Sequence, residues 1–293
     1  NQAIVGAGVF TVMLIVIPAF ELLSFWVISN TYCMVYIFLL MIGMNLYTTD
    51  ERENKALLIL LSMVICWLTL SRAEMSVCMA CIVCLISFLP LTQREMLTLS
   101  VPMMVVQLLY LIELNYQQAI SVKNVYDSML TPAIQAIITV ATVGCVIYSF
   151  FINSKFFSWI RKKINIIVFA VLPGICIAIY FLDKEKYVKS IESIIYNFKT
   201  QYWGYLPALI LILYIMIVLN KRINFWLIFS TGYVLINLIL CLGRKHPLRN
   251  GYGDSCNRIM MSAIPVVFFA LICSVLEIVA LRIKENREQE EYK

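Results

Sequence analysis

The stretch RKKINIIVFAVLPGICIAIYFLDKEK, residues Arg161–Lys186, decides the fold class. Residues 164–182 separate a cluster of cations from the next charge, Asp183, and among them only Asn165 carries a strongly polar side chain. As a helix rising 1.5 Å per residue this run is ~28 Å long, close to the ~30 Å hydrocarbon core of a bilayer. Lipid-crossing strands come instead as ~10-residue segments with one polar face, and the run shows no period of two. A membrane-spanning helix is the reading that remains.

The same pattern recurs on both sides of it. Of the 293 residues 62% are hydrophobic and 14% charged, with a mean hydropathy of +0.87, against roughly 45–50% apolar and about 25% charged in a soluble domain. Apolar runs between charge clusters fall at about 3–20, 32–47, 56–70, 75–92, 96–115, 133–152, 164–182, 204–220, 223–242 and 259–281. The expected architecture is all-α, a polytopic transmembrane bundle of about ten spans. Residues 1–281 read as one integral membrane domain and 282–293 as a polar cytoplasmic tail. Ser71, Arg72, Ala73 and Glu74 interrupt one long apolar stretch; a tight hairpin is expected there, the alternative being one long bent helix with a buried Arg72–Glu74 pair. The chain opens on Asn1 and enters an apolar run with no basic leader, so an upstream module is expected.

Lysine and arginine mark the cytoplasmic ends of short loops. Lys155, Arg161, Lys162 and Lys163 share one loop, Lys221 and Arg222 follow two spans later, and Arg282, Lys284 and Arg287 two spans after that. One side collects all of them and is read as cytoplasmic, with both ends of this chain there, in the plasma (inner) membrane. Segments 116–132, 183–203 and 243–258 and the Arg72/Glu74 turn are then external. The net charge of +6 does not indicate nucleic acid, because the cations flank spans and are not interleaved with exposed aromatics. Nine of the ten cysteines, including Cys78, Cys81 and Cys84 at helical spacing, fall inside apolar runs; they read as small core residues, and no metal site is expected.

The segment KEKYVKSIESIIYNFK, 184–199, has Val188, Ile191, Ile195 and Phe198 at helical spacing with lysines and Glu192 between them. This is the pattern of an amphipathic helix lying in the external interface, followed by Tyr202 and Trp203 for the aromatic belt.

The stretch most suggestive of chemistry is GRKHPLRNGYGDSCNR, 243–258, where Arg244, Lys245, His246, Arg249 and Arg258 surround a single acid, Asp254. It runs against the positive-inside trend, and arginine suits bidentate phosphate contacts. Gly251 and Gly253 bracket Tyr252 in a turn, and Asp254-Ser255 offers an N-cap to a helix starting near Asn257, whose free N–H groups favour an anion. The plainer alternative is that Asp254 and Arg258 pair and cap while the rest is a solvated loop.

The stretch GYGDSCNR, followed by an apolar helix containing Pro265, resembles the G-x-G-D-S-x-N-R pattern near the C-terminal end of bacterial multi-spanning GT-C glycosyltransferases, which take sugars from polyprenyl-phosphate donors. LSRAEMSV at 70–77 is similar to their Lys/Arg-x-Glu turn between two short helices, and 184–199 leading to Trp203 resembles their external interface helix. The resemblance covers scattered motifs from about 56 to 281. It implies donor-phosphate binding by Arg244, Arg249 and Arg258, oriented by Asp254 and Asn257, with Tyr252 in the turn. His246 is either a proton-transfer group or a loop histidine stacked on Pro247. Arg72 and Glu74 are either a second polar element of the site or a structural ion pair. No cofactor is called for beyond the lipid-phosphate-linked sugar donor as substrate, and membrane lipids are the other partners.

Departures from the pattern are equally plain. The family's catalytic acid follows its first span, and no motif surrounds Glu21, Glu113 or Asp127, so the acid is expected upstream of Asn1. Two other functions share the features: a polymerase, ligase or flippase of polysaccharide assembly, and a non-enzymatic membrane subunit or transporter.

Overall fold

A computed structural model describes residues 28–49, 54–71, 73–120, 132–200, 205–220, 224–242 and 255–291. These are helical apart from short turns, with no strand among them. The elements are α1 (Ile28–Thr49), α2 (Lys55–Ser71), α3 (Ala73–Ile86), α4 (Gln93–Ile120), α5 (Pro132–Phe150), α6 (Lys155–Lys162), α7 (Ile164–Leu182), α8 (Lys184–Thr200), α9 (Leu206–Leu219), α10 (Phe225–Leu242) and α11 (Ser255–Glu291).

Among the described residues, four helices are long and apolar enough to cross a membrane: Gln93–Glu113, Ile164–Leu182, Phe225–Leu242 and Ala263–Ile283. Gln135–Phe150 with Lys155–Lys162 makes a fifth if this pair, bent by 105°, counts as one span. The expectation of about ten therefore reduces here to four or five. Helices also occupy the ranges of the other apolar runs from 32 onward, but Cys33–Thr49, Lys55–Ser71, Met75–Ile86 and Leu206–Leu219 are shorter. The run at 3–20 lies outside the described residues.

Polarity is distributed as lipid requires. Outward-facing side chains are large and apolar, as with Met63, Trp67, Leu109, Ile112, Val140, Phe181 and Leu211. Fully buried positions include Ser76, Ser100, Gln107, Thr142, Ser149 and Ser274. Small and polar residues between helices with an apolar exterior are the packing pattern of membrane bundles. The buried hydroxyls commonly return to their own helix: Thr142 Oγ1 donates to Ile138 O at 2.9 Å and Ser149 Oγ to Cys145 O at 2.8 Å.

The helices gather into two compact units, 35–164 and 165–293 together with 1–34. In the first unit α2 packs on α4 and α3, and α5 on α3 and α4. α2 and α3 lie against each other, and Ser76 Oγ of α3 donates to Thr69 O of α2 at 3.2 Å. The hairpin reading, not the single long helix, is the one observed. Gly43 of α1 stands so close to α2 that a Cβ there would lie 2.5 Å from Leu61 Cδ2. Pro102 sits inside α4 and lacks the N–H that would bond Thr98 O. Ser62 Oγ of α2 supplies that bond at 2.8 Å, so the proline's defect becomes an interhelical contact.

One end of this unit is polar. Thr92 and Glu95 cap α4 reciprocally, Thr92 N donating to Glu95 Oε2 at 2.6 Å and Glu95 N to Thr92 Oγ1 at 3.3 Å. The other Glu95 oxygen accepts from Tyr47 Oη at 2.6 Å. The amides of Ser87, Phe88 and Leu89 close the end of α3. The carbonyls of that turn accept from Arg161: Nε to Ser87 O at 2.6 Å, Nη1 to Leu91 O at 3.2 Å, and Nη2 to Leu89 O. Ser87 Oγ also shares a 2.7 Å hydrogen bond with Tyr148 Oη.

In the second unit α10 packs along α11, with α7 and α9 beside them and α8 across α10 and α11. α7 contains a π-helical turn at Ile167–Val171, next to Pro173, whose missing N–H disturbs the ladder at Phe169. α11 runs on through 282–291, so the polar tail is a helix end as its composition suggests.

Candidate functional site

α10 ends at Leu242 and α11 begins at Ser255, so segment 243–254 joins two helices packed side by side. α8 meets the same end, where its Ile194 is buried with Cys241. The opposite end is fixed by polar contacts. Asn224 caps α10 through Leu227 N at 3.1 Å, accepts from Ser274 Oγ at 3.0 Å and donates to Glu277 Oε2 at 3.0 Å. Arg282 Nη2 donates to Asn220 Oδ1. Thus α9 starts, α10 ends and α11 starts at one end of the unit, and 220–224 and 277–282 share the other.

Between these helices lies a cavity of about 330 Å³, lined by Pro207, Tyr214, Thr231, Val234, Ile264 and Val267 among others. Pro207 is in the first turn of α9. Val234 and Leu235 are ~11 Å along α10 from its end, and Ile264 ~14 Å along α11 from its start. The cavity therefore lies two to three helical turns in from the end of the unit where α10 stops and α11 starts. Its wall is apolar except for a few hydroxyls: Ser230 Oγ donates to Leu227 O at 3.1 Å, whereas Thr231 Oγ1 is buried with no hydrogen-bond partner among the described residues. In the other unit a wider apolar groove of about 750 Å³ follows α2 and α4, past Met63, Trp67, Thr98 and Pro102. It holds no acid or base.

Of the site residues read from the sequence, Glu74 stands in the first turn of α3 and Asn257 and Arg258 in the first turn of α11. Their side chains, and all of Arg72, Arg244, His246, Arg249, Tyr252 and Asp254, lie outside the described residues. α11 begins at Ser255, two residues before the expected start, with Asp254 directly ahead of it at the position that favours an N-cap. Sequence reasoning missed the cavity residues Tyr214 and Thr231, since one hydroxyl in an apolar helix carries no signal of what faces it. Sequence reasoning also passed over the Thr92/Glu95 box, although T-x-x-E ahead of an apolar run is its signal.

The chain matches no family model, no curated protein and no solved structure.

Proposed function

We propose that the protein is a multi-pass plasma-membrane glycosyltransferase of GT-C type, using a polyprenyl-phosphate-linked sugar on the external face for cell-envelope glycan assembly. The observation that carries this reading is an apolar cavity beneath the junction whose sequence holds Arg244, Arg249, Arg258 and His246. A prenyl phosphate is amphiphilic in the same sense, with an apolar chain for the cavity and an anionic head for the arginines. Cleavage of the sugar C1–O bond leaves the electron pair on the phosphate oxygen, and guanidinium groups aimed at that oxygen stabilise the developing charge. Asp254 and Asn257 orient the arginines, Tyr252 shapes the turn, and His246, the chain's one imidazole, is the candidate for proton transfer. Arg72 and Glu74 are read as a second polar element. In this reading the shorter apolar helices also cross the membrane, which the lipid-compatible outer face of α2 supports, giving about ten spans with 183–203 and 243–258 external.

Binding of a prenyl phosphate carrying a photoreactive group in its tail tests the reading. Cross-links are expected on α9, α10 and α11, and Arg258→Ala is expected to weaken binding more than tenfold, with Arg258→Lys recovering little because a point charge cannot replace a bidentate fork. Unchanged binding by Arg258→Ala, or cross-links confined to α2 and α4, would refute it.

A further inference from the structure

α6, the eight-residue helix KFFSWIRK, leaves α5 at 105° and is capped by Ser154, whose Oγ accepts from Phe157 N at 3.4 Å. Its inner face is fixed to the 35–164 unit. The Phe157 ring meets Tyr148 edge-on at 5.5 Å between centroids, and Arg161, four residues on, is consumed by the carbonyls of the 87–91 turn. Ser158 and Ile160 are half-buried beside them, and the rest of the helix looks outward. Phe156 is 63% and Trp159 59% exposed, and Phe150 and Phe151 extend the aromatic surface at the bend. Lys155, Lys162 and Lys163 are exposed and have no ion pair among the described residues.

Within the helix itself these groups are sorted, and Lys163 follows as its C-cap. Lys155 and Lys162, seven positions apart, share one edge of the exposed arc, Phe156 lies on the other edge, and Trp159 stands between them. Such an arc fits a boundary with hydrocarbon on one side and charge on the other. The sequence contains no acid between Asp127 and Asp183 to neutralise the lysines. Glu95, at the same end of the unit, is occupied by Tyr47 and Thr92. The aromatic edge separates this surface from a site for a free anion, which would need no apolar rim.

We propose that α6 is a docking surface for anionic phospholipid, with Lys155, Lys162 and Lys163 on the phosphate headgroups and Phe156, Trp159, Phe150 and Phe151 among the upper acyl carbons. The proposal is independent of the glycosyltransferase reading and survives its failure. Cations near an acidic lipid surface each strengthen association roughly fivefold, so three give on the order of a hundredfold.

The test uses the full chain in mixed micelles titrated with phosphatidylglycerol, phosphatidylcholine or inorganic phosphate, reading retained lipid by native mass spectrometry and thermal midpoint in parallel. Phosphatidylglycerol is expected to bind at least tenfold more tightly than phosphatidylcholine, with preference falling steeply as salt rises. Lys155→Gln, Lys162→Gln and Lys163→Gln together should abolish that preference at an unchanged midpoint in lipid-free micelles. Lys184→Gln with Lys186→Gln on α8 should retain it. If the triple variant does not fold, the salt titration of the wild-type chain and the single change Lys162→Gln decide the matter. Equal binding of the two lipids, a preference kept by the folded triple variant, loss of preference in the α8 variant, or an equal response to inorganic phosphate would each overturn the proposal.

Discussion

Replacing Arg161 by Ala withdraws every donor it offers to the turn that ends α3. The carbonyls of Ser87 and Leu91 lose these donors and Leu89 O keeps only the Leu91 amide at 2.7 Å, while the α3 end itself stays closed by the 87–89 amides. A hydrogen bond to a charged group contributes about 1.5–3 kcal/mol, so the set bounds the loss at about 9 kcal/mol. Arg161 is half-buried, and water entering the gap recovers part of this, leaving about 3–5 kcal/mol, the scale of removing one partner of a buried charged contact. At about 2–4 °C per kcal/mol, the thermal midpoint should fall by about 10 °C. A thiol-reactive dye suits the measurement, because Cys78 and Cys145 of this unit are buried thiols outside any disulfide. Arg161→Lys should fall in between, since one ammonium cannot span carbonyls reached by a planar fork. Lys162→Ala, next door but exposed, should stay within about 0.5 kcal/mol of wild type. A midpoint for Arg161→Ala that coincides with that of Lys162→Ala would refute the assignment of Arg161 as the tie between α6 and the α3–α4 turn.

Two further outcomes follow from the buried polar groups of the same unit. Gln107 is fully buried with neither amide atom hydrogen-bonded among the described residues, so Gln107→Leu should raise stability by about 1–3 kcal/mol; a lowered midpoint would show that the amide is satisfied. Ser62→Ala should cost about 1 kcal/mol, and much less in a Pro102→Ala background, where an N–H at position 102 can bond Thr98 O instead; a double-mutant cycle with no coupling between the two changes would remove this account of the proline.

How much was legible in the sequence depends on how local the cause is. Residues 164–182 read as a span because nineteen neighbouring side chains carry the signal together, and the helix is found at those limits. The start of α4 was placed at 96, since Arg94 and Glu95 look like the edge of a span. The helix begins at Gln93 because Glu95 turns back onto Thr92 and is held by Tyr47, 48 residues away. Residues 153–163 read as a cationic loop for the same reason. A window that averages KFFSWIRK sees only charge beside aromatics, and the contact that makes it a helix pinned to the bundle joins Arg161 to residues at 87–91. Cations near spans were all counted as topology markers, although Arg161 is a structural tie and its neighbours face outward.

α8 shows the same division between pattern and partner. Its apolar stripe was read correctly as helical, but stripe and packing face do not coincide. Ser190, Ser193 and Ile194 are buried against the unit, whereas Val188 and Ile195 stay exposed and Lys189 pairs with Glu185 at 2.5 Å. Ile191 of the stripe packs beside Ile194, so the helix buries two serines with two isoleucines and leaves only part of its apolar stripe outside. Beside a bilayer it is the arrangement with least conflict. Small hydroxyl residues let α8 approach α10 and α11 closely, Val188 and Ile195 are left for lipid, and the charged edge for headgroups and water. α6 solves the same problem at its own unit, with Phe157 and Arg161 turned inward and Phe156 and Trp159 turned out. Each helix carries several charges and leaves an apolar edge exposed, and it is on this shared pattern that the interface reading of both rests.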